Sequence, residues 1–122
     1  MKNFITGRFR SFKYALKGFY LLLTTEHSII AQSLIFSIFI FIGFCVDIDK
    51  QDWINQTLGM CLVFSIEGLN TALEKLADFT HIEQHPKIAF IKDVAAGAVT
   101  FAALCFLIII LITYTPYFLN HA

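Results

Sequence analysis

The chain has 122 residues, of which 57% are apolar, and a mean hydropathy of +0.71; an ordinary soluble domain is roughly 45–50% apolar. Nine Lys/Arg balance nine Asp/Glu, so no net field gathers a polyanion, and the composition excludes a disordered or nucleic-acid-binding chain. A soluble fold of this size buries only about two-thirds of its unfolded surface, which leaves no room for so much Phe, Ile and Leu, and the surplus calls for lipid.

The first 26 residues carry Lys2, Arg8, Arg10, Lys13 and Lys17 and no acid before Glu26. Apolar Phe9, Phe12, Leu16, Phe19, Tyr20 and Leu23 recur at steps of three and four. They form one stripe on a helix whose other side is basic, the composition of an amphipathic helix lying in the membrane interface over residues 1–26. A signal peptide is the competing reading; the basic stretch is too long for one, and no small-x-small cleavage site follows.

Residues 29–46, eighteen without a charge, span about 27 Å as a helix and predict a first transmembrane segment. The next uncharged run, Trp53–Ile66, has fourteen residues. It extends to a second span over 53–74 when a few polar side chains of Glu67-Gly-Leu-Asn-Thr-Ala-Leu-Glu74 are buried. Residues 94–119 are uncharged throughout and predict a third span, with Pro116 interrupting its end. The expected fold is therefore all-α and integral to the membrane: three transmembrane helices plus an N-terminal surface helix, in one domain over 1–122. Five Lys/Arg precede the first span, one lies between the first two, three lie between the second and third, and none follows Leu119. This bias puts the N-terminus and the loop 75–93 in the cytoplasm and the C-terminus outside. Cys45, Cys61 and Cys105 stand singly in apolar stretches and read as small packing residues rather than metal ligands.

Carboxylates within or at the lip of a span cost roughly 2.5–3.5 kcal/mol each on insertion scales, so they demand a reason. Glu67, Asn70, Thr71, Glu74 and Asp78 share one helix face by their spacing. Like charges a turn or two apart repel, and a divalent cation is the natural remedy. The bland alternative is that these groups only bond neighbouring helices together. Glu26, at the same depth, is placed to give a second carboxylate to a shared cation; Mg²⁺ is typically held by one or two carboxylates plus substrate phosphates. His81 and His85 are spaced for metal, but Pro86 and the lack of a further soft ligand favour a solvated loop. Ala95-Ala96-Gly97-Ala98 would let helices pack closely. No G-x-x-x-x-G-K-[S/T] occurs, so any nucleotide would be held by metal, lysine and amides; phosphoryl transfer needs little more than positioning and charge neutralisation.

Over nearly its whole length the chain resembles the small prokaryotic diacylglycerol kinases, a family that includes undecaprenol kinases. The most specific match is Glu67-Gly-Leu-Asn-Thr-Ala-Leu-Glu-Lys-Leu-Ala-Asp78 to the family's E-x-x-N-[ST]-A-[IL]-E-x-x-x-D, followed at the family's spacing by Lys92-Asp93-Val-Ala-Ala-Gly-Ala98. The resemblance implies an ATP- and Mg²⁺-dependent kinase of a membrane lipid hydroxyl, usually a homotrimer with active sites shared between protomers, in the bacterial cytoplasmic membrane. On it Glu67 matches the general base and Glu26 and Glu74 the metal-holding carboxylates. Tyr14, Glu26, Glu74, Glu83, Gln84, His85, Lys92 and Asp93 match nucleotide contacts; Ala31, Gln32, Glu67 and Asn70 match the lipid side. Ile30 stands where many relatives carry arginine, and the family's early arginine aligns one residue from Arg8. Ala96 and its neighbours lean toward the undecaprenol-kinase branch. Two readings from other classes compete: a non-catalytic assembly subunit whose polar face sets register, and a small proton-coupled transporter relaying protons through Glu67 and Glu74.

Overall fold

The computed structural model describes residues 1–80, 83 and 85–120, arranged as α1 (Lys2–Thr25), α2 (His27–Val46), α3 (Lys50–Thr80) and α4 (Pro86–Asn120). Glu26, extended at φ −95° and ψ 111°, breaks α1 from α2. After α2 the chain reverses through Asp47, left-handed at φ 59° and ψ 55°, a conformation that Asp tolerates better than most residues. Asp49 then caps α3, its Oδ1 accepting the Asp52 N–H at 2.8 Å. At the start of α4, His85 Nδ1 accepts the Lys87 N–H at 3.1 Å while Pro86 takes the first helical position, where its missing N–H costs nothing.

α3 packs mainly along α4, and α2 closes over the pair. The core is Phe36 and Ile48 with Met60 and Val63 of α3 and Ala102, Phe106, Ile110 and Tyr114 of α4. The Phe36 ring centroid lies 4.7 Å from that of Phe64 and 4.9 Å from that of Phe106, within the range of favourable aromatic pairs. Gly59 permits the close approach of α3 to α4: a Cβ there would sit 3.0 Å from Ile109 Cδ1 and 3.1 Å from Phe106 Cδ2. Gly68 does the same for α1, whose Leu22 Cδ1 would be 3.1 Å from an added Cβ. Phe41, Phe44, Phe101, Leu107, Ile108 and Ile112 face outward, and α2 and α4 are long and apolar enough to cross a membrane.

The helices outrun the expected spans. α3 has 31 residues and α4 has 35, about 46 Å and 52 Å of helix against a hydrocarbon core of about 30 Å. Lys75, counted with the loop 75–93, belongs to α3, as the helical face through Asp78 requires, and Lys92 and Asp93 belong to α4; the segment between the helices narrows to 81–85. Pro116 does not interrupt the last helix either, since α4 continues through it to Asn120. A proline removes one backbone bond, and neighbouring helices and small local adjustments absorb that loss in membrane helices. The three cysteines, expected to pack, are exposed. Gly97 of the small-residue run, expected to let helices pack closely, has open space beside it: a Cβ there would meet nothing within 4 Å.

Candidate active site

The polar face of α3 runs from a buried end to an open one. Glu67 is only 7% exposed, Asn70 and Thr71 are half-buried, and Glu74 and Asp78 are exposed. Each position follows from helix geometry, because offsets of three, four, seven and eleven return to one side of an α-helix.

At the buried end Gln32 of α2 donates its Nε2 hydrogen to Glu67 Oε2 at 3.1 Å. Among the described residues no cation reaches Glu67, whose partner is a neutral amide. Gln32 Oε1 and Asn70 Oδ1 are buried there without a donor among the described residues. Buried acceptors are almost always satisfied in folded proteins, and those left open mark places where something else supplies the donor. Asn70 spends its Nδ2 on Glu74 Oε1 at 3.3 Å.

Toward the open end, lysines replace amides. Lys75 Nζ lies 3.3 Å from Glu26 Oε1, tying the α1–α2 junction to α3. Six positions along the chain separate Glu26 from Gln32, about 9 Å of helix rise, so the Glu26–Lys75 and Gln32–Glu67 pairs stand at different levels along α2. Lys92 of α4 makes a short ion pair with Asp78 of α3, clasping the two helices where they extend beyond the core.

The structure therefore pairs Gln32 with Glu67 and, one turn along the same face of α3, Asn70 with Glu74, and sets Glu26 beside α3 through Lys75. His85 caps α4, with Glu83 exposed before it and Asp93 exposed one residue past Lys92. Tyr14 is exposed on α1, which meets α3 through Leu22 of its last turn, and Ala31 is exposed on α2. Gln84 and His81 lie outside the described residues. No group of three or more His, Cys, Asp or Glu side chains converges among the described residues. The two carboxylates of Glu26 and Glu74 are hard oxygen donors, the set that Mg²⁺ takes when substrate phosphates complete its shell.

Sequence reasoning gave Lys75 no role, although it is the one cation in the 67–78 motif. It also missed the Asp78–Lys92 clasp, whose partners are fourteen positions apart and meet only because α3 and α4 turn back so tightly.

Two comparisons bear on this constellation. The family description "Prokaryotic diacylglycerol kinase" matches residues 13–114, a stretch that holds the whole polar group. A Bacillus subtilis (strain 168) protein named undecaprenol kinase is 31% identical over 115 residues, covering 94% of each chain.

Proposed function

This chain belongs to the prokaryotic diacylglycerol kinase family and is a lipid kinase of that kind, and on that premise we propose that it transfers the γ-phosphate of Mg·ATP to the hydroxyl of undecaprenol, with diacylglycerol as the second acceptor. The observation that carries the reading is the Glu67 carboxylate: almost fully buried, free of any cationic partner among the described residues, and flanked by open acceptors. A carboxylate so placed is suited to take a proton at the boundary between lipid and water.

On this reading Glu67 accepts the proton of the lipid hydroxyl as its oxygen bonds to the γ-phosphorus, the bond to the bridging oxygen breaks, and ADP leaves. Glu26 and Glu74 would hold Mg²⁺, which when bound neutralises charge on the phosphates. Lys75 keeps Glu26 compensated until the nucleotide arrives. Lys92, Asp93, Glu83, His85, Tyr14 and Gln84 belong to the nucleotide side, and Asn70, Gln32 and Ala31 to the lipid side. α3 is the second transmembrane segment, between α2 and α4: its polar face turns toward the site while Met60 and Val63 pack in the core. The N-terminus and the α3–α4 connection lie in the cytoplasm, the C-terminus lies outside, and α1 rests on the inner leaflet. A homotrimer would cover the open Gly97 face and bring Tyr14 of one protomer to the site of its partner.

Undecaprenol is preferred as acceptor on the relative's name and the Ala95–Ala98 run. The test is transfer of labelled γ-phosphate to undecaprenol and diacylglycerol offered side by side in mixed micelles. The expected product is undecaprenyl phosphate, abolished by EDTA. Phosphatidic acid as the dominant product would reverse the acceptor preference, and no transfer to either lipid by folded oligomer would reject the assignment of acceptors.

A further inference from the structure

Resting on the assignment of Glu67 as base, we infer that Gln32 is a positioning residue that holds the Glu67 carboxylate in its reactive orientation. The pair joins α2 to α3 across thirty-five positions of sequence, with Gln32 Nε2 3.1 Å from Glu67 Oε2. The orientation of the amide follows from the contact itself, because turning Oε1 toward the carboxylate would set two acceptors against each other. With Nε2 committed, Oε1 is left buried and without a donor among the described residues. A fold selected only for stability would have an apolar side chain here, since an open buried acceptor is costly.

The chemistry of an amide suits the task better than its alternatives. A lysine or arginine would neutralise the carboxylate and hold it charged, weakening it as a proton acceptor. A second carboxylate would repel it and compete for the same proton. A neutral N–H donor fixes one oxygen and leaves the other open toward the substrate. The contact also restrains rotation of a long side chain, and a fixed base shortens the search for the reactive geometry.

The experiment compares Gln32→Met, of similar length without a donor, and Gln32→Glu, of the same shape with a carboxylate, each alone and with Glu67→Gln. Steady-state kinetics are read in mixed micelles, with oligomer size and thermal midpoint measured alongside; if Gln32→Met fails to assemble, Gln32→Glu carries the same test. Loss of a hydrogen bond to a charged group predicts a fall in kcat of roughly 10- to 100-fold, with KM for Mg·ATP held within about twofold. In the Glu67→Gln background the Gln32 substitutions should cost nothing further, because the group they position is gone. A kcat within about threefold of wild type in folded Gln32→Met, while Glu67→Gln is inactive, overturns the Gln32 role alone. Equal losses in both backgrounds overturn it too and assign Gln32 a merely structural part. Near-normal turnover in Glu67→Gln would instead remove the base assignment, and the positioning role with it.

Discussion

Two polar clusters interrupt the apolar helices, and they are built on opposite rules. Away from Glu67, Gln56 of α3 is completely buried, with the Tyr114 hydroxyl of α4 2.7 Å from its Oε1. The same hydroxyl lies 3.0 Å from the Phe39 carbonyl of α2, and its one proton serves either acceptor. Gln56 Nε2 points to that carbonyl at 3.5 Å, and Thr113 Oγ1 points to Asp52 Oδ1 at the same distance. α2, α3 and α4 all contribute, and neither Gln56 nor Tyr114 is left with an open polar atom. At the Gln32–Glu67 end a charged group is buried with one neutral partner, and two acceptors stay open. A closed polar network clamps helices, whereas the open one is, on the proposed reading, where the reacting groups meet.

The comparison is broken most decisively at Glu67. Glu67→Gln keeps the shape of the side chain and removes its capacity to take a proton, so turnover should fall by roughly 10²–10⁴-fold while thermal midpoint and oligomer size persist. Lipid phosphorylation assays on folded protein check it. In the closed cluster the balance is inverted. Tyr114→Phe strips Gln56 Oε1 of its partner and should cost about 1–3 kcal/mol of stability, read as a lower unfolding midpoint in detergent, with kcat per folded molecule unchanged.

Gly59→Val sharpens the same distinction from the packing side. Its added atoms meet Ile109 and Phe106 at the α3–α4 contact, and overpacking of this kind costs roughly 1–3 kcal/mol, so stability should fall and the acidic face should keep its chemistry. The smallest effect is expected at Lys75, whose side chain is 70% exposed in its pair with Glu26. Lys75→Met should change stability by no more than about 0.5 kcal/mol, because solvent screens such pairs. Its signature is a modest change in KM for Mg·ATP, measured at fixed lipid.

Much of this was legible in the sequence because membrane helices are written in long uncharged runs, and acids inside them are conspicuous. Residues 29–46 and 94–119 could be read from length alone, and the Glu67–Asp78 face from its spacing. The ends of helices were not legible. Lys75, Lys92 and Asp93 look like loop residues by charge, yet they continue α3 and α4 beyond the apolar core. Pro116 reads as a stop, although an established helix carries it to Asn120. Pairings were hidden for a different reason. Gln32 with Glu67, and Gln56 with Tyr114, depend on the register of antiparallel helices, which no local pattern encodes. The exposed cysteines and the open face at Gly97 show the same limit, since which side of an all-apolar helix meets its neighbours is settled by shape and not by polarity.

The most direct test of the contrast is one assay on three proteins: wild type, Glu67→Gln and Tyr114→Phe, each measured for transfer of labelled γ-phosphate from Mg·ATP to undecaprenol and for unfolding midpoint. The account predicts that Glu67→Gln loses transfer and keeps its midpoint, while Tyr114→Phe lowers its midpoint and keeps transfer. A Glu67→Gln protein that turns over normally, or that loses its fold along with its activity, would contradict it.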